Sequence, residues 1–366
     1  MAVGEMSEEQ QLNAIRERID AIDAQLQELL NARAAAAHEV AEVKRAHDPD
    51  AFFYRPEREA QVLREVKARN RGPLGDEEMA RLFREIMSAC LALEQPLNIA
   101  FLGPEGTFTQ AAALKHFGHS VRTLSMGSIA DVFQEVEAGN CHYGVVPVEN
   151  STEGVISHTL DMFLNSPLQI CGEVTLRIHH NLLGRDGELA AVRKVYSHQQ
   201  SLAQCRGWLD RHLPLVERQA VGSNAEAARL ARDEPGAAAI AGETAAEIYG
   251  LKVLAPNIED EPGNTTRFLV IGRQAVPPCG DDKTSLLLST KNEAGGLHRL
   301  LTPLAQHGIS MSRIESRPSR RGAWDYVFFI DIQGHRDEPS IAEALAALRQ
   351  AAGMYKELGS YPRAVL

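Results

Sequence analysis

The sequence LNIAFLGPEGT at Leu97–Thr107 indicates an α/β fold for the middle of the chain. Its first residues form an apolar run typical of a buried strand, which ends at Gly103. The glycine-rich turn then leads into Phe108–Phe117, where the pattern is helical. Strand, turn and helix in this order make a generic anion-binding device, because N–H groups of the first helical turn lack partners. No Lys-Ser/Thr pair follows the turn, so it is not a Walker A loop.

The same alternation of apolar runs and helical stretches continues to about residue 273. Further strands are predicted at Tyr143–Val148, Val195–His198, Ala237–Ile240 and Phe268–Ile271. Polar clusters flank them, and one predicted helix runs through Ser201, Gln204 and Trp208. Because open α/β sheets bind ligands at strand ends, these clusters predict a binding site.

The two ends of the chain differ from the middle in their predicted secondary structure. Residues up to about 96 carry almost no strand signal and predict an all-α part. After Pro277–Pro278, strands and helices alternate in the order βαββαβ, which is ferredoxin-like. We therefore predict three domains, at residues 5–96, 97–275 and 284–366.

Composition and charge exclude several classes of protein. The 366 residues predict two or three domains at roughly 150 residues each. Lys and Arg total 38 against 49 Asp and Glu, and the net charge of −11 argues against nucleic acid as the main partner. No apolar run approaches the ~18 residues of a membrane helix, and the acidic start does not resemble a signal peptide. We expect a cytoplasmic protein with no membrane partner.

Cysteine and histidine spacing gives no sign of a metal site. The five cysteines are far apart and form no CxxC pair, as is typical of reduced thiols. His158, His198 and the pair His179–His180 have no Cys or carboxylate at ligand spacing, which favours structural roles. We expect neither a metal nor a cofactor.

A long amphipathic helix is predicted near the start of the chain. Its apolar positions step by fours and threes in a coiled-coil-like seam: Ile15, Ile19, Ile22, Leu26, Leu29, Ala36, Val40 and Val43. One helix cannot bury this stripe alone, so it requires a partner such as a second copy. Arg33 interrupts the seam, and Lys44 shares its face because eleven residues make about three turns. A buried cation needs an anion, so the pair indicates a small polyanionic ligand.

Six polar residues of this first part resemble the site of the all-helical chorismate mutases: Arg16, Arg33, Lys44, Arg58, Glu59 and Glu94. The resemblance implies catalytic roles for all six, in a dimer of intertwined three-helix chains. Arg16 points about 100° away from Arg33, which suits the arginine that this family donates to the opposite subunit. Rearrangement of chorismate to prephenate needs cations that hold a dicarboxylate and donors that meet charge on the ether oxygen.

Three positions depart from that family. Glu94 stands where many members have Gln as the second donor to the ether oxygen. A carboxylate cannot donate, so Glu94 is expected to act in its protonated form. Arg55 and Cys90 stand where relatives place an acidic residue and a serine.

Four strings of the middle part resemble prephenate dehydratase in their order and spacing. They are GPEGTFT, VPVENSTEGV, YSHQQSLAQC and NTTRF. The resemblance implies two α/β lobes hinged like a type II periplasmic binding protein, with prephenate in the cleft. Residues 97–175 and 265–275 are expected in one lobe, and the interval in the other.

The resemblance also implies roles for the polar residues of these strings. Prephenate loses its ring hydroxyl together with CO2, and the poor leaving group requires a proton donor. Thr266 is expected to be that donor, assisted by Arg267 or Glu149. The residues expected to bind the substrate are Thr107, Glu149, Asn150, Ser151, Ser197, Gln204 and Arg267.

The last part resembles the ACT regulatory domain of the same enzymes. The string GGL opens its first helix and ESRP ends its second strand. The resemblance implies that L-phenylalanine binds between paired modules and inhibits the dehydratase. The implied effector residues are Gly295, Gly296, Leu297, Glu315, Ser316 and Arg317.

Together, the three resemblances imply a homodimer, or a dimer of dimers, with two activities of phenylalanine biosynthesis. One is the chorismate mutase, an isomerase, and the other is the prephenate dehydratase, a carbon–oxygen lyase. Two alternatives stay open. The helical part of a monofunctional dehydratase could serve dimerisation alone, or the whole chain could be a non-catalytic ligand sensor with a binding-protein-like cleft.

Overall fold

A computed structural model describes residues 7–48, 51–185, 188–290, 293–318 and 326–366. Glu5 and Met6, with which the predicted first domain begins, lie outside these residues. No helix in the described ranges is both long and apolar enough to span a membrane.

The first part is helical, with α1 at Glu8–His47, α2 at Pro56–Arg69 and α3 at Asp76–Glu94. Ser7 begins α1 with a capping box: its hydroxyl accepts from the Gln10 N–H, and the Gln10 side chain accepts from the Ser7 N–H. α2 and α3 pack on each other around Leu63 and Met87. The apolar seam of α1 is exposed from Ile15 to Val43. The sequence predicts this exposure in a single chain, because its pattern is that of a helix that needs a partner.

The middle part has two lobes, and the first is built on a six-stranded sheet. Its strand order is β2–β1–β3–β11–β5, with β4 paired to β3. Numbered in chain order, the strands are β1 Asn98–Leu102, β2 Arg122–Met126, β3 Tyr143–Asn150, β4 Gly154–Val155, β5 Gln169–Arg177 and β11 Thr265–Gly272. The helices are α4 Phe108–Phe117, α5 Ile129–Glu137 and α6 Ser157–Phe163.

The second lobe is a five-stranded sheet in the order β10–β6–β9–β7–β8. Its strands are β6 Asn181–Gly184, β7 Lys194–His198, β8 Glu217–Val221, β9 Ala237–Ala241 and β10 Lys252–Ala255. Its helices are α7 Gln199–Gln204, α8 Arg206–His212, α9 Asn224–Asp233 and α10 Glu243–Tyr249. The chain leaves lobe one after β5 and returns to it as β11, so the prediction of two lobes is confirmed.

The predicted helix through Ser201 and Trp208 is wrong in one respect, because it is interrupted at Cys205. The Asp260 carboxylate accepts from the N–H groups of Gly207, at 2.7 Å, and Trp208, at 2.9 Å. A side chain from a distant loop therefore caps α8 at its own start. Because Asp260 is distant from α8 in the sequence, no local sequence pattern predicts this cap.

Two strands extend further into polar residues than the sequence pattern predicts. β3 includes Glu149 and Asn150, and β11 starts at Thr265. The reason is that β11 lies antiparallel between β3 and β5, where Thr266 pairs with Asn150 on one side and Leu176 on the other. Backbone pairing on both sides keeps these polar residues in the ladder.

The last part forms an antiparallel sheet in the order β13–β14–β12–β15, confirming the ferredoxin-like prediction. Its elements are β12 Asp282–Ser289, α11 Gly296–Gln306, β13 Met311–Pro318, β14 Tyr326–Gln333, α12 Pro339–Ala351 and β15 Met354–Pro362. The helices cover one face of the sheet, where Leu288 packs with Leu300 and Leu348. On the other face, Phe329 and Leu358 join the core of lobe one.

This last part is held closely to lobe one where β15 passes β5. Gly359 has a φ of +148°, a region that side-chain-bearing residues rarely adopt. A Cβ at this position would meet the backbone of Ile170, with 2.8 Å to its nitrogen. The close approach therefore requires glycine.

We predict that Gly359→Ala destabilises the contact between the last part and lobe one. Strain at φ and the clash with Ile170 should together cost about 1–3 kcal/mol or more. Thermal unfolding of the purified chain should begin several degrees lower. Gly353→Ala is the matched control, since its nearest neighbour is the Ser289 hydroxyl at 3.5 Å. Equal transitions for the two variants would contradict the prediction.

Candidate active sites

A cavity of about 480 Å³ opens where the three helices of the first part meet. Five of the six residues predicted for this part line it: Arg33, Lys44, Arg58, Glu59 and Glu94. Arg55 and Cys90, where the sequence departs from the resembling family, line it as well. Cations therefore converge on one small cavity, which suits a compact anion.

Arg16 is the predicted residue that this cavity does not include. It is exposed near the other end of α1, where its guanidinium donates to the Asn13 side chain at 3.2 Å. Seventeen residues of α1, about 26 Å at ~1.5 Å per residue, separate it from Arg33 at the cavity. Within one chain, Arg16 does not join the other five residues.

Lys44 is held in place by the chain segment that precedes α2. Its ammonium donates to the carbonyls of Phe53, at 3.2 Å, and Phe52, at 3.5 Å, and lies 5.4 Å from the Phe53 ring centre. Burial lowers the pKa of Lys44, and the nearby Glu94 carboxylate opposes that shift. The cation is thus oriented before any ligand arrives.

Glu94 sits at the end of α3, against the cations of α1. Burial raises the pKa of its carboxyl above the ordinary value, although Lys44, Arg45 and Arg33 each pull it down. Arg45 also donates to the Glu94 backbone carbonyl, which fixes the end of the helix. The carboxyl therefore keeps its proton to a higher pH than an exposed glutamate.

Glu59 reaches the cavity from α2 and pairs with a cation that sequence reasoning missed. The Arg84 guanidinium lies 2.9 Å from the Glu59 carboxylate, and both side chains are buried, at 8 % and 12 % exposure. Burial raises the pKa of Glu59, while Arg84 and the Tyr54 hydroxyl lower it. Arg84 occupies the buried face of α3 with Ala80. Arg33 was singled out because it is a cation within an apolar stripe. Arg84 shows the same pattern, so it could have been predicted from the sequence.

A second cavity, of about 420 Å³, lies between the two lobes of the middle part. The ends of β3 and β11 reach it from lobe one, and α7 and α9 reach it from lobe two. Four of the predicted residues line it: Thr107, Asn150, Gln204 and Thr266. Thr107 caps α4, since its hydroxyl accepts from the Gln110 N–H at 3.4 Å.

Asn150 fixes the orientation of Thr266 in this cleft. Its amide nitrogen donates to the Thr266 hydroxyl oxygen and to the Asn264 side chain, each at 2.8 Å. Its amide oxygen accepts from the N–H groups of Thr152 and Glu153, each at 3.0 Å. Because the Thr266 oxygen accepts from Asn150, its own hydrogen is left to donate elsewhere. A hydroxyl that accepts a hydrogen bond is also a stronger donor.

Two predicted residues, Ser197 and Ser151, do not line the cavity. The Ser197 hydroxyl is fully buried against Asn224, at 2.9 Å, and the Ile240 carbonyl, at 3.0 Å. The Ser151 hydroxyl accepts from the Thr265 N–H at 2.9 Å. Both hydroxyls hold the segments that carry cleft residues.

Glu149 and Arg267 point away from the cleft, toward the last part of the chain. The Arg313 guanidinium lies 3.1 Å from Glu149. Arg267 pairs with Glu173 at 2.8 Å and with Asp331 at 2.6 Å. Neighbouring residues of a strand face opposite sides, so the strand positions that aim Asn150 and Thr266 at the cleft aim these two away. The structure therefore does not bring either group to the Thr266 hydroxyl.

Sequence reasoning missed His180 as a cleft residue. Its Nε2 lies 2.8 Å from the Gln204 amide oxygen, and burial lowers the pKa of the imidazole, which keeps it neutral. The neighbouring His179 instead pairs with Glu259 at 3.0 Å. Which of two adjacent histidines faces a cleft depends on a register that no local pattern reveals. Of the described residues, no group of three or more His, Cys, Asp or Glu could hold a metal ion.

A bridge of amides joins the two lobes across the cleft. The Gln200 side chain of lobe two donates to the Glu153 carboxylate of lobe one at 2.6 Å. Gln204 donates to the same carboxylate at 3.3 Å. Glu153, Gln200 and Gln204 all line the same cavity as Thr266.

The six residues predicted to bind an effector lie at two places in the last part. Gly295 has φ +75° and begins α11, Gly296 is buried, and Leu297 is exposed. The other three lie on the edge strand β13: Glu315, Ser316 and Arg317. The Arg317 guanidinium donates to the Ser157 hydroxyl, at 2.6 Å, and the Asp161 carboxylate, at 3.0 Å.

Comparison with known families divides the chain into the same three parts. Residues 15–95 match the model of chorismate mutase type II, residues 99–276 that of prephenate dehydratase, and residues 284–350 that of the ACT domain.

Individual relatives match along the full length. The chain is 59 % identical to a bifunctional chorismate mutase/prephenate dehydratase of Stutzerimonas stutzeri, over 99 % of this chain and all of the relative. It is 57 % identical, with the same coverage, to one of Pseudomonas aeruginosa. A solved prephenate dehydratase of Arthrobacter aurescens, in complex with L-Phe, is 35 % identical with a TM-score of 0.67, over 73 % of this chain and 90 % of that one.

Proposed function

The chain belongs to the family of bifunctional chorismate mutase/prephenate dehydratases, and we propose that its two cavities house the two reactions. It is an enzyme of phenylalanine biosynthesis that carries an ACT regulatory domain. A monofunctional enzyme or a pure sensor would not need both cavities. The observation that carries the proposal is that each cavity gathers side chains suited to one of the reactions.

In the helical cavity, Arg33, Lys44 and Arg58 bind the two carboxylates of chorismate. Holding the substrate in its compact conformer brings the reacting carbons together and lowers the entropic part of the barrier. Lys44 and protonated Glu94 donate to the ether oxygen as its bond breaks and charge develops on it. No covalent intermediate is required.

A second copy of the chain completes this site with Arg16. The exposed seam of α1, from Ile15 to Val43, supports pairing with an identical helix, because each seam would cover the other. Exposed apolar residues on the ACT domain, such as Ile314 and Tyr326, support a second pairing surface. We therefore propose a homodimer, with a dimer of dimers possible through the two surfaces.

In the cleft, Thr266 donates its proton to the departing ring hydroxyl of prephenate. The C–O bond breaks as the carboxylate leaves as CO2, and the electrons of the lost C–C bond complete the aromatic ring. The products are water, CO2 and phenylpyruvate, and Thr266 recovers its proton from solvent, so each turnover consumes one proton. Asn150 orients the Thr266 hydroxyl, and Gln204, Thr107 and neighbouring cleft amides bind the substrate's polar groups.

L-Phenylalanine regulates the dehydratase through the ACT domain. The Arthrobacter aurescens relative was solved with L-Phe, which supports the same effector here. We assign it to the backbone turn at Gly295–Leu297 and the strand residues Glu315–Arg317. An amino acid needs a donor for its carboxylate and an acceptor for its ammonium, and turn N–H groups and the Glu315 carboxylate supply them.

We predict that the two activities can be removed separately. Arg33→Ala should lower chorismate consumption by roughly 100-fold or more, because a carboxylate loses its cation. Thr266→Val should lower phenylpyruvate formation by about 100- to 10,000-fold, since the hydroxyl that donates the proton is gone. Both rates are measured on the purified chain with chorismate or prephenate supplied.

Thr266→Ser is the matched control, because it keeps the hydroxyl and should retain much of the dehydratase activity. Each single variant should keep the activity of the other cavity. Loss of both activities in either variant, without unfolding, would contradict two independent sites.

We predict that the mutase rate falls as pH rises through the raised pKa of Glu94. Only the protonated carboxyl donates, so activity is highest below that pKa. Glu94→Gln donates at every pH and should flatten the profile. A wild-type mutase profile that is flat between about pH 5 and 8 would refute a donating role for Glu94.

We predict that Glu315→Ala weakens inhibition by phenylalanine. Loss of the carboxylate should raise the half-inhibitory concentration about tenfold or more, as expected for one charge-assisted hydrogen bond. Glu343→Ala is the control, because this carboxylate lies exposed on α12 in the same domain. Unchanged inhibition of the Glu315 variant would count against this effector site.

A further inference from the structure

We propose that Arg267 is a positioning residue through which the ACT domain sets the placement of Thr266. The inference rests on the proposed function, in which Thr266 donates the proton and phenylalanine acts on the ACT domain. The proposed function leaves open which contacts connect the regulatory domain to the cleft, and Arg267 provides them.

Arg267 follows Thr266 directly on β11, so the two residues share one segment of strand backbone. Its side chain is only 14 % exposed and leaves the strand on the face away from the cleft. The pairing of β11 with β3 shifts register between Arg267 and Phe268. Such irregularities re-aim side chains, here next to the catalytic threonine.

The Arg267 guanidinium binds both sides of the domain boundary. Its Nε donates to Glu173 on β5 of lobe one at 2.8 Å. Its two terminal nitrogens donate to ACT residues: to Asp331 on β14 at 2.6 Å and to the Tyr361 hydroxyl on β15 at 3.0 Å. One planar guanidinium therefore bridges lobe one and the ACT domain, so its position depends on how the two domains pack.

The surroundings of this guanidinium are buried and balanced in charge. Lys283 of the ACT domain lies 2.7 Å from Glu173, so two cations face two anions. Asp331 is 8 % exposed, and its second oxygen accepts from the Ser285 hydroxyl at 2.6 Å. Buried ion pairs are costly to separate, so the domains cannot shift here without moving Arg267 or leaving a charge unpaired.

The effector strand is one strand away from this cluster. β13, which carries Glu315 and Arg317, pairs with β14, and Arg313 lies opposite Asp331 in that ladder. A shift of β13 on phenylalanine binding would reach Asp331 through backbone hydrogen bonds. From Asp331 the path continues through Arg267 to Thr266, which gives a contiguous physical connection between the two sites.

Two variants at the ACT end of the contact test the proposal, and neither substitutes a residue of the cleft. Asp331→Asn removes the charge that Arg267 faces and keeps the side-chain size. Tyr361→Phe removes one hydroxyl and leaves the buried ring, so it provides a milder change if the first variant folds poorly. For each purified full chain we would measure dehydratase kcat and KM, the response to phenylalanine, and mutase activity.

We expect dehydratase kcat to fall by roughly 3- to 30-fold with KM for prephenate nearly unchanged, because the cleft still binds but Thr266 is misplaced. The half-inhibitory phenylalanine concentration should change by a similar factor. Mutase activity should stay at the wild-type level. Combining Arg267→Lys with Asp331→Asn should cost less than the product of the single effects, since the two residues act as one contact.

Lys356→Gln is the matched control. Its ammonium also links the ACT domain to lobe one, through the carbonyls of Phe163, at 2.8 Å, and Ser166, at 2.6 Å, but it does not touch β11. A role in domain adhesion alone would make this variant behave like Asp331→Asn, which would overturn the proposal.

The proposal is also overturned if folded Asp331→Asn or Tyr361→Phe keeps wild-type kcat and phenylalanine response. A wild-type chain that did not convert prephenate, or ignored phenylalanine, would instead refute the proposed function. The wild-type measurement therefore separates the two failures.

Discussion

The antiparallel insertion of β11 between β3 and β5 is the constraint on which the dehydratase part depends. β11 comes from the far end of this part of the chain and completes the sheet of lobe one. The chain between β5 and β11 therefore forms lobe two. It also brings Thr266 beside Asn150, although 116 residues separate them in the chain. Because side chains alternate along a strand, the same insertion sends Arg267 to the ACT domain. One pairing thus sets both the cleft and its contact with the ACT domain.

Charge pairing organises two further places in the molecule. At the boundary with the ACT domain, two cations and two anions neutralise one another, and the cluster holds the domains in one arrangement. In the helical cavity the balance is different: Arg84 compensates Glu59, but Arg33, Lys44 and Arg58 outnumber the carboxyl of Glu94. This excess of cations suits the dianionic substrate of the proposed mutase reaction.

The helical part presents an apolar surface that one chain cannot cover. The long helix α1 presents its seam to solvent over most of its length, and Arg16 lies far from the cavity lined by Arg33 and Lys44. A paired helix would bury the seam and bring a second Arg16 near that cavity. One amphipathic pattern would then serve both association and the proposed mutase site.

The sequence by itself determined the three parts, five strands of the middle part, the order of elements in the last part, and the residues of each cavity that stand out locally. Arg33 within an apolar seam and Thr266 within NTTRF are such residues, because periodicity and motif are properties of neighbouring positions. Only the tertiary structure decided that Arg267 leaves the cleft, that His180 enters it, and that Asp260 caps α8. These facts depend on strand register and on contacts between distant segments, and neither leaves a mark in the local pattern.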